Sequence, residues 1–167
     1  MSQCFLLWAV GHHPRLVSSG PSALWVGNYD GGSVTRVRAG RATTVELDTC
    51  LTPQGLAEAA GVIWVACTLE GRVVGLDTES LEVVASFDGL EAADAILADR
   101  DTVYAVGQVG PTVWAIDARR RAVVTKLVLD EVGATRENVG AALVGRRVVV
   151  SHPDAFRLYD VPLALLR

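Results

Sequence analysis

The chain has 167 residues, a formal net charge of −4 and a hydrophobic fraction of 50%. That length suits one compact domain, and the acidic balance excludes a molecule-wide footprint for nucleic acid or an anionic membrane. The one basic run, Arg119-Arg120-Arg121, is too narrow to track phosphates and reads as a solvated turn.

In chain order, the first apolar run is Phe5-Leu6-Leu7-Trp8-Ala9-Val10. It is too short for a signal peptide or a membrane helix, and no later run is longer in the way either would need. The expected setting is therefore the cytoplasm, with a virion as the second candidate, and the expected partner is not a membrane. Residues 4–10 have the composition of an outer strand. The three cysteines, Cys4, Cys50 and Cys67, show neither even count nor zinc-type spacing, and are expected to be reduced structural thiols.

From residue 14 onward a pattern recurs about every 40 residues. Leu24-Trp25-Val26-Gly27 returns as Ile63-Trp64-Val65-Ala66 and again as Val103-Tyr104-Ala105-Val106. A second anchor keeps step: Asp77 follows Trp64 by 13 positions, and Asp117 follows Tyr104 by 13. In the first copy the same offset falls on Arg38, and the fourth copy is degenerate, with Val148-Val149-Val150 followed by Phe156 to Asp160. Each unit divides into short β-branched and aromatic runs broken by Gly, Asp and Ser, the pattern of strands joined by tight turns. Ala-rich stretches at residues 56–60 and 90–97 are too short and too Gly-bounded to displace that reading with helix.

The period selects an all-β β-propeller of four four-stranded blades. The expected blades span residues 14–48, 53–88, 93–130 and 139–161, forming one domain. Residues 4–10 would supply the outer strand that closes the last blade and removes an exposed edge. Two chains forming one eight-bladed ring is the alternative.

Pro53-Gln54-Gly55-Leu56-Ala57, Gly61 to Ala66 and Gly71 to Asp77 resemble YVTN/NHL-type repeats. Similar repeats occur in virginiamycin B lyase-like and gluconolactonase-like propellers. The resemblance implies a binding scaffold in most cases and a metal-assisted lyase or lactonase in a minority. Such relatives usually carry six or seven blades, from which four copies depart.

Loops on one end of such a fold are expected to gather Asn28, Tyr29, Asp30, Thr68, Glu70, Gln108, His152 and Asp154, joined by His12, His13, Asp48, Glu91, Glu137 and Asn138 from the inter-blade connections. Histidines beside carboxylates suit a divalent ion that polarises a substrate oxygen, whereas polar loops facing water need no such role. His12-His13 fits a turn, since adjacent side chains in extended chain point oppositely, and His152-Pro153-Asp154 fits a hairpin bend. No phosphate loop, GxSxG elbow, HExxH or EF-hand sequence occurs. No catalytic residue, metal ligand or cofactor is therefore assigned. The binding-face candidates are His12, His13, Asn28, Tyr29, Asp30, Glu70, Gln108, His152 and Asp154. Trp25, Trp64 and Trp114 are expected in the core.

The expected function is a non-enzymatic module for protein–protein interaction or self-association, with no nucleic-acid partner. A metal-assisted lyase or lactonase, and a structural subunit of an assembly such as a phage particle, are the alternatives. The fold alone chooses none of them.

Overall fold

The computed structural model describes residues 7–167. Among the described residues, fifteen strands form four antiparallel sheets. Blade 1 comprises β1 (Pro14–Ser19), β2 (Leu24–Asn28), β3 (Ser33–Arg38) and β4 (Arg41–Glu46). Blade 2 comprises β5 (Pro53–Ala59), β6 (Val62–Cys67), β7 (Arg72–Asp77) and β8 (Val83–Asp88). Blade 3 comprises β9 (Ala93–Asp99), β10 (Thr102–Gly107), β11 (Thr112–Asp117) and β12 (Ala122–Val128). Blade 4 has three strands, β13 (Gly140–Val144), β14 (Arg147–His152) and β15 (Arg157–Pro162), followed by a 3₁₀ turn at Leu163–Leu166.

Strands pair in sequence order within each sheet, so every connection is a hairpin. The turns carry the chemistry that hairpins need. Ala39-Gly40 and Ala60-Gly61 both hold two successive residues at positive φ, which matches the right-handed twist of the flanking strands. Asp77 accepts from the backbone N–H of Glu79 and Ser80 (both 2.9 Å), and Asp117 does the same for Arg119 and Arg120 (3.0 and 2.9 Å). The aspartates of the second anchor therefore build turns. Arg38 stands in their place because its turn is the two-residue Ala39-Gly40.

The first strand of each sheet lies innermost: β5 packs against β1 and β9, and β9 packs against β13. The outermost strands β4, β8 and β12 are half exposed. Between the blades lie three apolar cores. Trp25, Val34, Ile63 and Leu76 join blade 1 to blade 2; Trp64, Val73, Val103 and Ile116 join blade 2 to blade 3; Tyr104, Val113, Val148 and Leu163 join blade 3 to blade 4. Each aromatic anchor thus fills the gap to the following blade, with Trp64 stacked on Phe87 at 6.0 Å. Among the described residues no contact of comparable extent joins β13 to β1.

Two expectations need correction. Residues 4–6 of the expected closing strand lie outside the described residues. The rest of it, 7–10, forms no strand and lies against blade 1, where Trp8 donates its indole N–H to the Gly40 carbonyl (3.4 Å) and the Gly11 N–H reaches Thr35 Oγ1 (3.3 Å). That segment covers the face of blade 1 that no other blade covers. Cys50 and Cys67, expected as free thiols, are joined in a disulfide, with Cα atoms 5.1 Å apart. The loop after β4 returns to the end of β6, a proximity that linear spacing does not reveal.

Candidate binding mouth at the head of the inner strands

Three inner strands carry a polar residue at the same end of the molecule, Arg15, Gln54 and Asp94, and Asn138 stands just before the fourth, with Tyr29, Thr68, Gln108 and Arg136 from adjoining loops. Together they line a cavity of about 270 Å³. Below it a groove of about 340 Å³ runs between the inner strands, walled by Leu16, Val17, Leu56, Ile96 and Ala141. Polar rim and apolar trough form one continuous concavity, sharing Gln54, Asp94 and Asn138.

The geometry depends on Gly55. A Cβ there would lie 2.5 Å from the Asp94 carbonyl oxygen and 2.7 Å from the Ile96 nitrogen, so only glycine lets β5 and β9 approach this closely. That approach buries Gln54 and Asp94, each 3% exposed. Asp94 accepts from the Val139 N–H (2.8 Å) and from Asn138 Nδ2 (3.2 Å), tying blade 3 to blade 4. Burial raises its pKa above the ordinary carboxylate value, against the pull of the Val139 N–H, Gln108 and Arg15. Gln54 Oε1 is buried without a hydrogen-bond partner. Buried acceptors are rarely left so, because each costs about 1–3 kcal/mol. At the rim, the Arg15 guanidinium lies 4.7 Å from the centre of the Tyr29 ring.

Of the loop residues read from sequence, the cavity gathers Tyr29, Thr68, Gln108 and Asn138. The other binding-face candidates lie outside it, most of them with local partners. His152 is buried and both ring nitrogens are engaged, Nε2 with the Gly133 carbonyl (3.1 Å) and Nδ1 with the Ala155 N–H (3.2 Å), so it buttresses its hairpin. His13 pairs with Asp30 in a half-exposed contact, and His12 is exposed beside Gly31. Asn28 is buried and donates to Ser33 and Thr35 hydroxyls (3.1 and 3.0 Å). Glu70 accepts from Thr52 Oγ1 (2.8 Å), and Asp154 from the Arg136 N–H (2.9 Å). Among the described residues no three His, Cys, Asp or Glu side chains come together as a metal-ligand set.

Arg15, Gln54 and Asp94 were not singled out by sequence reasoning, which looked to loop tips. Their signal lay in the repeat: each stands ten positions before its blade's aromatic anchor, Trp25, Trp64 or Tyr104. A polar residue recurring at one register of an otherwise apolar strand marks a shared end of the inner strands.

No family model matches the chain, and no curated protein matches it in sequence. Its likeness is to solved structures. A hydrazine synthase chain from Kuenenia stuttgartiensis superposes with a TM-score of 0.66 at 17% identity, covering 97% of this chain and 52% of that one. The WD40 repeats of RRP9 give 0.60 at 13%, covering 83% and 47%. BamB from Moraxella catarrhalis gives 0.58 at 20%, covering 86% and 48%. Such identities show the fold alone. The fold is that of a β-propeller, built here from four blades. The chain spans about half the length of the solved chains it matches. No helix among the described residues is long and apolar enough to cross a membrane.

Proposed function

We propose that this chain is a non-enzymatic binding module that holds a protein segment at the polar mouth and along the groove below it. The observation that carries the reading is the unpartnered Gln54 Oε1, fixed beside the buried Asp94 carboxyl in an open concavity. Two preorganised acceptors suit the N–H donors of a peptide backbone or a basic side chain, and the apolar trough suits alternate aliphatic side chains. Arg15 and Arg136 on the rim offer complementary donors to carbonyls or a carboxylate. The net charge of −4 gives phosphate no general attraction, so nucleic acid is the less suitable ligand. The Cys50–Cys67 bond suits an oxidising compartment better than the reducing cytoplasm first expected.

Panning a displayed random-peptide library on the chain tests this. Enriched peptides should bind the parent chain and lose roughly tenfold or more in affinity on Gln54→Leu or Asp94→Asn, with unchanged circular dichroism. If no sequence enriches, or the enriched peptides bind both variants as well as the parent, the mouth is not a protein-binding site.

A further inference from the structure

We infer that residues 129–139, the connection from blade 3 to blade 4, form an acid-released strap at the mouth, with His152 as its latch: protonation of that imidazole frees the strap and draws Arg136 and Asn138 away from the cavity. The release is a property of the free chain. Only its consequence, the loss of a bound segment in acid, rests on the function proposed above.

The strap differs from its equivalents in length. It has eleven residues, whereas the other inter-blade connections, 47–52 and 89–92, have six and four. Its first residue, Leu129, donates its N–H to the Pro111 carbonyl (2.9 Å), and its last, Val139, donates to Asp94 (2.8 Å). Between these ends the backbone is pinned at three points. His152 Nε2 donates to the Gly133 carbonyl (3.1 Å), the Thr135 N–H donates to the Gln108 carbonyl (3.2 Å), and the Arg136 N–H donates to Asp154 (2.9 Å). Two of those three pins, His152 and Asp154, come from the one turn that joins β14 to β15. From Gly133 to Asn138 only Thr135 is buried, so little apolar contact opposes release.

The hydrogen bonds of His152 fix its charge state. The side chain is buried, and the Ala155 N–H donates to Nδ1 (3.2 Å), so Nδ1 carries no proton; Nε2 carries it and donates to Gly133. A proton on Nδ1 would set two N–H groups against each other and leave a charge in a buried site. The turn holding Ala155 is the part that can yield, since Phe156 within it lies at φ 53 and is 96% exposed. Opening the turn lets the imidazolium reach water, and it removes the donor to Gly133 and the acceptor for Arg136 together. The released strap thus binds one proton more than the latched strap, so falling pH favours release.

The charged groups on the surrounding elements are engaged elsewhere. Across the β14–β15 pair His152 stands opposite Arg157, itself a cation, whose guanidinium is held by Asp130. Asp130 also accepts from the Tyr159 hydroxyl (2.9 Å). In the turn, Asp154 is committed to the Arg136 N–H, and on the strap Glu131, Arg136 and Glu137 are exposed. On blade 3, Asp94 accepts from Asn138 and Val139 at the far end of the strap, and burial raises its pKa above the ordinary carboxylate value. Among the described residues no carboxylate forms an ion pair with His152.

Amide hydrogen exchange tests the inference, on the parent chain and on His152→Asn, at neutral pH and at about pH 5, the range in which histidine changes charge. Exchange times are scaled for the intrinsic effect of pH. In the parent, the Thr135 and Arg136 amides should lose roughly tenfold or more in protection on acidification, while those of β6 and β10 keep theirs. In His152→Asn the side-chain oxygen still accepts from the Ala155 N–H but takes up no proton. Its strap, less protected for want of the Gly133 bond, should not respond to pH. Asp94 is intact in that variant, so a loss of protection there as well would assign the release to another group and overturn the role of His152. A second measurement needs no variant: the imidazole nitrogen shifts of the parent should show a bare Nδ1 at neutral pH and titrate in step with exchange of the strap. A strap equally protected at both pH values, protection lost from all blades together, or an imidazole that titrates while the strap stays closed overturns the inference.

Discussion

Trp25 and Trp64 occupy the same position in successive blades, and both are fully buried, yet their indole N–H groups fare differently. Trp25 Nε1 donates to Glu58 Oε2 at 2.8 Å, and the same carboxylate accepts from the Ser22 N–H at 3.2 Å, so Glu58 of blade 2 fastens blade 1. Trp64 Nε1 has no partner and relies on packing and on its stack with Phe87. Glu58→Ala should orphan two donors and cost about 2 kcal/mol in urea unfolding, while Glu58→Gln, which keeps an acceptor, should recover most of it. Asp94 makes a second prediction at this scale. Its pKa is raised by burial above the ordinary value near 3.8, so the folded state holds its proton more tightly than the unfolded state. Its folded carboxyl carries no penalty below the ordinary aspartate range, and stability falls as pH rises through the raised value. Urea midpoints measured across that window should fall for the parent relative to Asp94→Asn; a constant difference would show that the charge is not penalised.

At the scale of elements, the hairpins were legible because their signals are local. Gly40, Gly61 and Gly71 all sit at positive φ, and Asp77 and Asp117 cap turns from within three residues. β-branched and aromatic runs broken by Gly, Asp and Ser placed the β-strands, and the Ala-rich stretches at 56–60 and 90–97 fall largely within β5 and β9. What local pattern could not supply was the link between the loop after β4 and the end of β6. The Cys50–Cys67 bond closes a separation of 17 residues and should add about 3 kcal/mol by restricting the unfolded chain. Comparing urea midpoints with and without reductant checks this. Alkylation should label two more thiols after reduction and unfolding than before.

At the scale of the whole molecule, the inner strands of the four blades together line one concave site. Periodicity determined that the chain repeats, that its blades are β-sheets, and that Trp25, Trp64 and Trp114 are core; these properties arise from strands near one another in sequence. Tertiary structure alone decided that Gln54 would lie unpartnered beside Asp94, that His152 would be spent on its own hairpin, and that residues 7–10 would lie on blade 1. The first of these depends on how closely residues 40 positions apart approach. That distance is set by blade-to-blade rotation and by small residues such as Gly55, which a hydrophobic pattern along the chain does not encode.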